Sequence, residues 1–173
     1  MLWLIIGASA SGKSEYAENL AVSIGRKKRI YIATMRPADD ECLRRIARHQ
    51  KMRAEKGFST IECYCDLKKL KIPPQSTVLL ECLSNLVANE LYIGAGKNTE
   101  SAVIEGIRSL KKQAENLIIV SNEVFCDGEK YDPQTQEYIA VLGRLNQEIA
   151  KIADTVIEIV YSIPIFHKGE ERK

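Results

Sequence analysis

Apolar and polar positions alternate in blocks along the chain. Short β-like runs recur at Leu2–Ile6, 29–34, 77–82, 117–122 and Thr155–Val160, and helix-period patterns fill most of the intervals between them. Strands separated by helices, each strand a nearly continuous apolar run, predict an α/β fold: a mostly parallel sheet covered by helices on both faces. After the first run, Tyr16, Leu20 and Ile24 recur every four residues and predict a helix with one buried face, ended by Gly25. The interval 37–56 carries Asp39 and Asp40 as N-terminal signals and Leu43, Ile46 and Ala47 at helical spacing, which predicts a helix with a strongly basic exposed side. A more polar helix is predicted over 99–114. A last one is predicted over about 134–153, through Tyr138, Leu142, Leu145, Ile149 and Ile152. Pro73-Pro74 marks a loop before the run at Thr77, and residues 167–173 read as a frayed, charged tail.

No repeat, linker or low-complexity segment divides the 173 residues, so one domain over 1–173 is expected. Twenty-five basic residues against 23 acidic ones leave a net charge of only +2, so no global field recruits nucleic acid or anionic lipid, and any basic site must be local. The apolar N-terminus is too short for a signal segment and no apolar stretch is long enough to span a bilayer, so a cytoplasmic protein with no membrane partner is expected. The five cysteines, Cys42, Cys63, Cys65, Cys82 and Cys126, lack C-x-x-C spacing and have only two histidines to help them bind a metal. They read as reduced and mostly structural.

The strongest chemical signal follows the first strand: Gly7-Ala8-Ser9-Ala10-Ser11-Gly12-Lys13-Ser14. A loop of this spacing between an apolar strand and a helix turns backbone N–H groups onto phosphate oxygens. Gly7 and Gly12 allow close approach, Lys13 is placed for the β and γ phosphates, and the Ser14 hydroxyl for Mg2+. A P-loop NTPase fold of the RecA-like type is therefore expected, with a nucleoside triphosphate as ligand. Glu81 ends an apolar strand, where ligands bind in open α/β sheets, and Glu123 lies just beyond another such strand; either carboxylate is a candidate for the metal. Arg45, His49 and Arg53, four residues apart, fall on one stripe of the basic helix. A solvated basic face is one reading. The other has the arginines holding phosphates while His49, the sole histidine outside the tail, does acid, base or nucleophilic work.

Taken in order, a larger set of segments carries a resemblance. It comprises the P-loop, Tyr31-Ile32-Ala33-Thr34, Asp39-Asp40-Glu41, Arg45-Ile46-x-x-His49-x-x-x-Arg53, Thr60-Ile61-Glu62, Leu79-Leu80-Glu81-Cys82, Asn89-Glu90, Ser121-Asn122-Glu123-Val124, Gly143-x-x-Asn146-Gln147 and Ala153-Asp154. The chain resembles the bifunctional adenosylcobinamide kinase and adenosylcobinamide-phosphate guanylyltransferase family of cobalamin assembly, from the first strand to about residue 160. The resemblance implies phosphorylation of the aminopropanol hydroxyl of adenosylcobinamide by ATP or GTP. It then implies transfer of GMP from GTP onto that phosphate through a covalent GMP-histidine, at the position of His49. It implies nucleotide-binding positions at Thr34, Gln50, Lys51, Met52, Arg53, Glu62 and Glu81, and a homotrimer. Arg45 and Arg53 are placed to stabilise the charged transition state. Glu62 or Glu81 is suited to accept the guanine N1–H and exocyclic amine, which for Glu81 competes with the metal role.

Two departures stand out. Many members place an arginine-containing stretch after Asn-Glu-Val, whereas the interval here reads Phe125-Cys126-Asp127-Gly128-Glu129-Lys130-Tyr131-Asp132-Pro133 and then Gln136-Glu137-Tyr138-Ile139-Ala140. Phe58 stands where the family usually has tryptophan. Beside the bifunctional enzyme stand a monofunctional P-loop kinase of another small alcohol, and a non-catalytic nucleotide switch.

Overall fold

The computed structural model describes residues 1–24, 28–124 and 131–170, with the side chain of Met52 outside that description. The strands are β1 (Leu2–Ile6), β2 (Lys28–Ala33), β3 (Phe58–Glu62), β4 (Ser76–Glu81), β5 (Asn116–Val120), β6 (Thr155–Val160) and β7 (Ile163–Lys168). The α-helices are α1 (Lys13–Ile24), α2 (Asp40–Arg53), α3 (Leu83–Tyr92), α4 (Thr99–Gln113) and α5 (Pro133–Ile152). They build one seven-stranded sheet in the order β3-β2-β4-β5-β1-β6-β7, parallel throughout except for the antiparallel pair β6 and β7.

The two-residue period of the strands sorts the core into two layers. Leu2 and Leu4 of β1, Ile30 and Ile32 of β2, and Val78 and Leu80 of β4 meet Leu86 of α3, Ile107 and Leu110 of α4, and Leu142, Leu145 and Ile149 of α5. Their strand neighbours Trp3, Ile5, Tyr31, Leu79 and Ile118 point to the other face, where α1 lays Ala17 and Ala21 against them. Small alanines let α1 approach the sheet closely. The buried stripe of α1 is therefore Ala17, Glu18 and Ala21, with Tyr16, Leu20 and Ile24 packed partly buried at its margins rather than forming the stripe. Gly25 lies outside the described residues.

Three elements escape the periodicity. The edge strand β3 has only Phe58 and Ile61 half-buried, with polar residues between them, and β7 begins Ile163-Pro164 and ends in charge. Helix α3 directly follows β4 and continues its apolar run. The segment from His167 onward is thus no frayed tail as far as Lys168: β7 pairs with β6, and His167 Nε2 lies 2.8 Å from Glu158 Oε2. Residues 171–173 lie outside the described residues. Helix α2 also differs from its expected amphipathic form. Leu43 is half exposed and Ala47 exposed, and Arg53 alone is buried among its described side chains. Asp39 caps its N-terminus, accepting from the Cys42 N–H at 2.7 Å.

Candidate functional site

Residues 7–12 connect β1 to α1, so the helix N-terminus opens at the carboxyl end of a central strand. Gly12 adopts φ +93°, and a Cβ there would lie 2.5 Å from Ser162 Oγ; a Cβ on Gly7 would lie 2.6 Å from the Ile159 carbonyl oxygen. Both contacts come from the β6–β7 hairpin, whose Ser162 N–H also donates to the Ser11 carbonyl at 2.8 Å. The glycines are thus required on the protein side of the loop as well as by any phosphate. Lys13 is buried and its Nζ donates to the Ala8 carbonyl at 2.8 Å. Burial pushes its pKa down, while Glu81 opposes that shift. Ser11 Oγ is buried with no hydrogen-bond partner.

In front of the loop lies a cavity of about 550 Å³. It brings together Ser9, Ala10, Ser11, Gly12, Lys13 and Ser14 with Arg45, His49, Gln50, Arg53, Glu62 and Glu81, from segments up to 72 positions apart in the chain (9 to 81). Gly7, buried, and Ala8, exposed, are not among its lining residues. Two expected binding positions fall elsewhere. Thr34 is fully buried, and its Oγ1 donates to the Cys82 carbonyl at 2.8 Å while accepting from the Cys82 N–H at 2.7 Å, so it clamps the exit of β4 instead of facing the cavity. Lys51 is exposed on α2 and does not line the cavity. Met52 lies outside the described side chains. Glu123 is not on the wall either; its backbone N–H donates to the Gly7 carbonyl at 3.1 Å.

The two alternative carboxylates separate in space. Glu62 and Glu81 both register with Ala33, one across each edge of β2, so two strand spacings, roughly 10 Å, lie between their backbones. Glu62 is exposed and accepts from the Tyr64 hydroxyl at 2.8 Å. Glu81 is buried, its Oε1 lies 3.5 Å from His49 Nδ1, and its Oε2 has no hydrogen-bond partner. Burial lowers the pKa of His49, with Glu81 opposing and Arg48, Arg53 and Arg45 adding to the depression. The imidazole is therefore held toward its neutral, nucleophilic form.

Periodicity alone missed several wall residues. Tyr31 carries the Arg53 guanidinium 3.5 Å above its ring centroid and meets Phe58 edge-on at 6.4 Å, so the phenylalanine in the usual tryptophan position serves as an aromatic prop under that pair. Asn85 and Asn122 add amides to the wall, and Asn122 donates to Ser84 Oγ at 2.6 Å. Glu18, wholly buried on α1, pairs with Lys56 at 2.8 Å and has ligand atoms within 4.8 Å of those of His49 and Glu81. Its position one turn after Ser14 is the available signal, and the apolar spacing of Tyr16, Leu20 and Ile24 on the same helix masks it. Cys42, Cys63, Cys65 and Cys82 are free thiols, and burial raises the Cys63 thiol to about 11. Cys126 and the rest of the divergent stretch 125–130 lie outside the described residues.

Comparison with known proteins decides the family. Residues 3–166 match the family model described as cobinamide kinase / cobinamide phosphate guanyltransferase. The chain belongs to this family. It is 31% identical to the bifunctional adenosylcobalamin biosynthesis protein CobU of Salmonella typhimurium, over 95% of this chain and 98% of that one. The Escherichia coli protein of the same name is 32% identical with the same coverage, and CobP of Pseudomonas aeruginosa is 29% identical over 96% and 97%. The chain is accordingly a transferase of the kinase and guanylyltransferase type. Among solved structures, a type III secretion system ATPase superposes with a TM-score of 0.55 at 8% identity, over 91% of this chain and half of that one. The flagellar accessory protein FlaH of Methanocaldococcus jannaschii gives 0.50 at 14%, over 96% and 77%. At such identities the likeness shows a shared fold. Among the described residues no helix is long and apolar enough to cross a membrane.

Proposed function

We propose that this member phosphorylates the aminopropanol hydroxyl of adenosylcobinamide and then transfers GMP from GTP to the resulting phosphate by way of His49. One observation carries this reading: a P-loop and a half-buried imidazole, held toward its neutral form, open on the same cation-rich cavity. In the kinase step the acceptor hydroxyl attacks the γ-phosphorus of ATP or GTP, its proton passes to solvent, the bond from that phosphorus to the β-phosphate oxygen breaks, and the loop N–H groups and Lys13 bear the charge of the departing nucleoside diphosphate. In the guanylyl step His49 attacks the α-phosphorus, the bond to the β-phosphate oxygen breaks, and pyrophosphate leaves with the electron pair. Arg45 and Arg53 face the charge that builds on the α-phosphate. The acceptor phosphate then displaces histidine, giving adenosylcobinamide-GDP.

Within this reading Glu62, exposed at the far edge of the cavity, suits the guanine N1–H and amine, whereas Glu81 sits with the phosphate-side groups. Ser14 and Glu81 offer a hydroxyl and a buried, unpartnered carboxylate oxygen, a hard-oxygen set that fits Mg2+. When bound, the ion would offset phosphate charge. A cytoplasmic homotrimer belongs to the same reading, and sedimentation of the purified protein tests the trimer.

The deciding experiment incubates the protein with GTP labelled in the α-phosphate, denatures it and maps the label. An acid-labile GMP mass on the peptide containing His49, absent in His49→Ala, is expected. Label that persists in the mutant overturns His49 as nucleophile, and nucleotide binding with no adduct in the wild type favours a monofunctional kinase or a switch.

A further inference from the structure

The proposed mechanism leaves one buried group without a task. Glu18 is fully buried on α1, and its Oε1 has no hydrogen-bond partner although Oε2 holds Lys56 at 2.8 Å. A carboxylate is costly to bury in this way unless something uses it. Its surroundings specify the use. Glu18, Glu81 and His49 converge with ligand atoms within 4.8 Å of one another, and the atoms left unpartnered are Glu18 Oε1, Glu81 Oε2 and His49 Nδ1. Each therefore comes from a different element: α1, β4 and α2.

Two occupants fit such a cluster, a metal ion or the proton on Nδ1. Charge favours the proton. Lys56 already neutralises one carboxylate and Arg53 stands close enough to act on Glu18, so in the nucleotide-free protein a divalent cation here would leave the buried cluster with excess positive charge; the Mg2+ that Ser14 and Glu81 Oε2 suit would come with the nucleotide phosphates. A proton on Nδ1 leaves it balanced.

We propose that Glu18 is a positioning residue for His49: with Glu81 Oε1, 3.5 Å from Nδ1, it holds the Nδ1–H edge of the imidazole, fixing the tautomer that presents the Nε2 lone pair to the nucleotide. Because Glu18 stands four residues after Ser14, the same carboxylate registers the histidine against the phosphate cradle. When Nε2 forms its bond to the α-phosphorus and pyrophosphate leaves, Nδ1 keeps its proton and the ring becomes positive. Two carboxylates on the Nδ1 side stabilise that charge. When the acceptor phosphate forms its bond to phosphorus, the P–N bond breaks, its electron pair returns to Nε2, and the ring is neutral again. This inference rests on His49 as the nucleophile.

The test compares wild type, Glu18→Gln and Glu18→Asp with α-labelled GTP in single turnover, alongside GTP affinity and the cobinamide kinase step. Glu18→Gln should slow adduct formation about 10- to 100-fold, as loss of an outer-shell partner does. GTP affinity and the kinase step should change by less than about threefold, and Glu18→Asp should fall between. If all three measurements fall together in both variants, Glu18 is merely structural and the inference fails. It also fails if the adduct rate of Glu18→Gln is unchanged, or if nucleotide-free wild type binds one equivalent of Mn2+ that Glu18→Gln loses. Should Glu18→Gln not fold, the comparison of Glu18→Asp with wild type decides by the same three readouts. Absence of an adduct in wild type counts against His49 itself, a separate failure.

Discussion

Helices α1 and α2 face one cavity but are held there by opposite means. α1 lies on the sheet through Ala17 and Ala21, its first turn continues a loop braced by the β6–β7 hairpin, and the groups it offers to phosphate are largely main-chain. α2 buries no apolar side chain among those described. Its attachment is polar: His49 toward Glu81 and Arg53 over Tyr31, with Lys56 to Glu18 just beyond its end. Solvent-exposed helices with few apolar contacts open at lower free energy than packed ones. The cradle is thus built as scaffold, while the histidine rides on an element whose place is set by charge.

The largest effect that would sharpen this contrast is functional. Lys13→Ala should lower cobinamide phosphorylation by about 10²- to 10³-fold, because phosphate charge goes uncompensated; kinase assays that retain wild-type turnover would break the assignment of the cradle. Next comes Gly12→Ala, which forces a side chain onto φ +93° and into Ser162. A loss of about 1–3 kcal/mol in thermal or denaturant unfolding is expected, and an unchanged midpoint would show that the hairpin gives way instead. The smallest concerns α2. Tyr31→Leu removes the ring beneath Arg53, worth about 0.5–2 kcal/mol, so amide exchange should speed up across α2 while α1 keeps its protection. Equal acceleration in both helices would erase the distinction between them.

What the sequence reveals follows the same division. The central strands and the P-loop stand out because a parallel strand buried on both faces is a continuous apolar run, and because a phosphate loop constrains several residue types at once. β3 and β7 do not stand out, since an edge strand needs only alternate apolar residues and Pro164 breaks the pattern further. At the site, Lys13, Arg45, His49, Gln50, Arg53 and Glu81 are legible from motif, helical spacing and strand ends, and Glu62 from the family resemblance; all of them meet around the cavity. Thr34 is legible as special but not as a clamp on Cys82, because that contact joins residues 48 apart. Glu18 is hidden for a related reason. A carboxylate between Ala17 and Asn19, in a helix that also carries Glu15, reads as a solvent-facing residue until the sheet beneath it is known.

The hairpin that braces the P-loop also sets an order of assembly. β1 and the loop precede every segment they rest on: β1 pairs with β5 and β6, and the loop contacts Ile159 and Ser162. During synthesis β1 can pair with β5 once residue 120 is made, but the phosphate cradle must wait for the β6–β7 hairpin, since Ser162 lies 150 positions after Gly12 (12 to 162). A nascent chain released short of the last turn would carry every motif of the cradle and still lack the surface against which it closes.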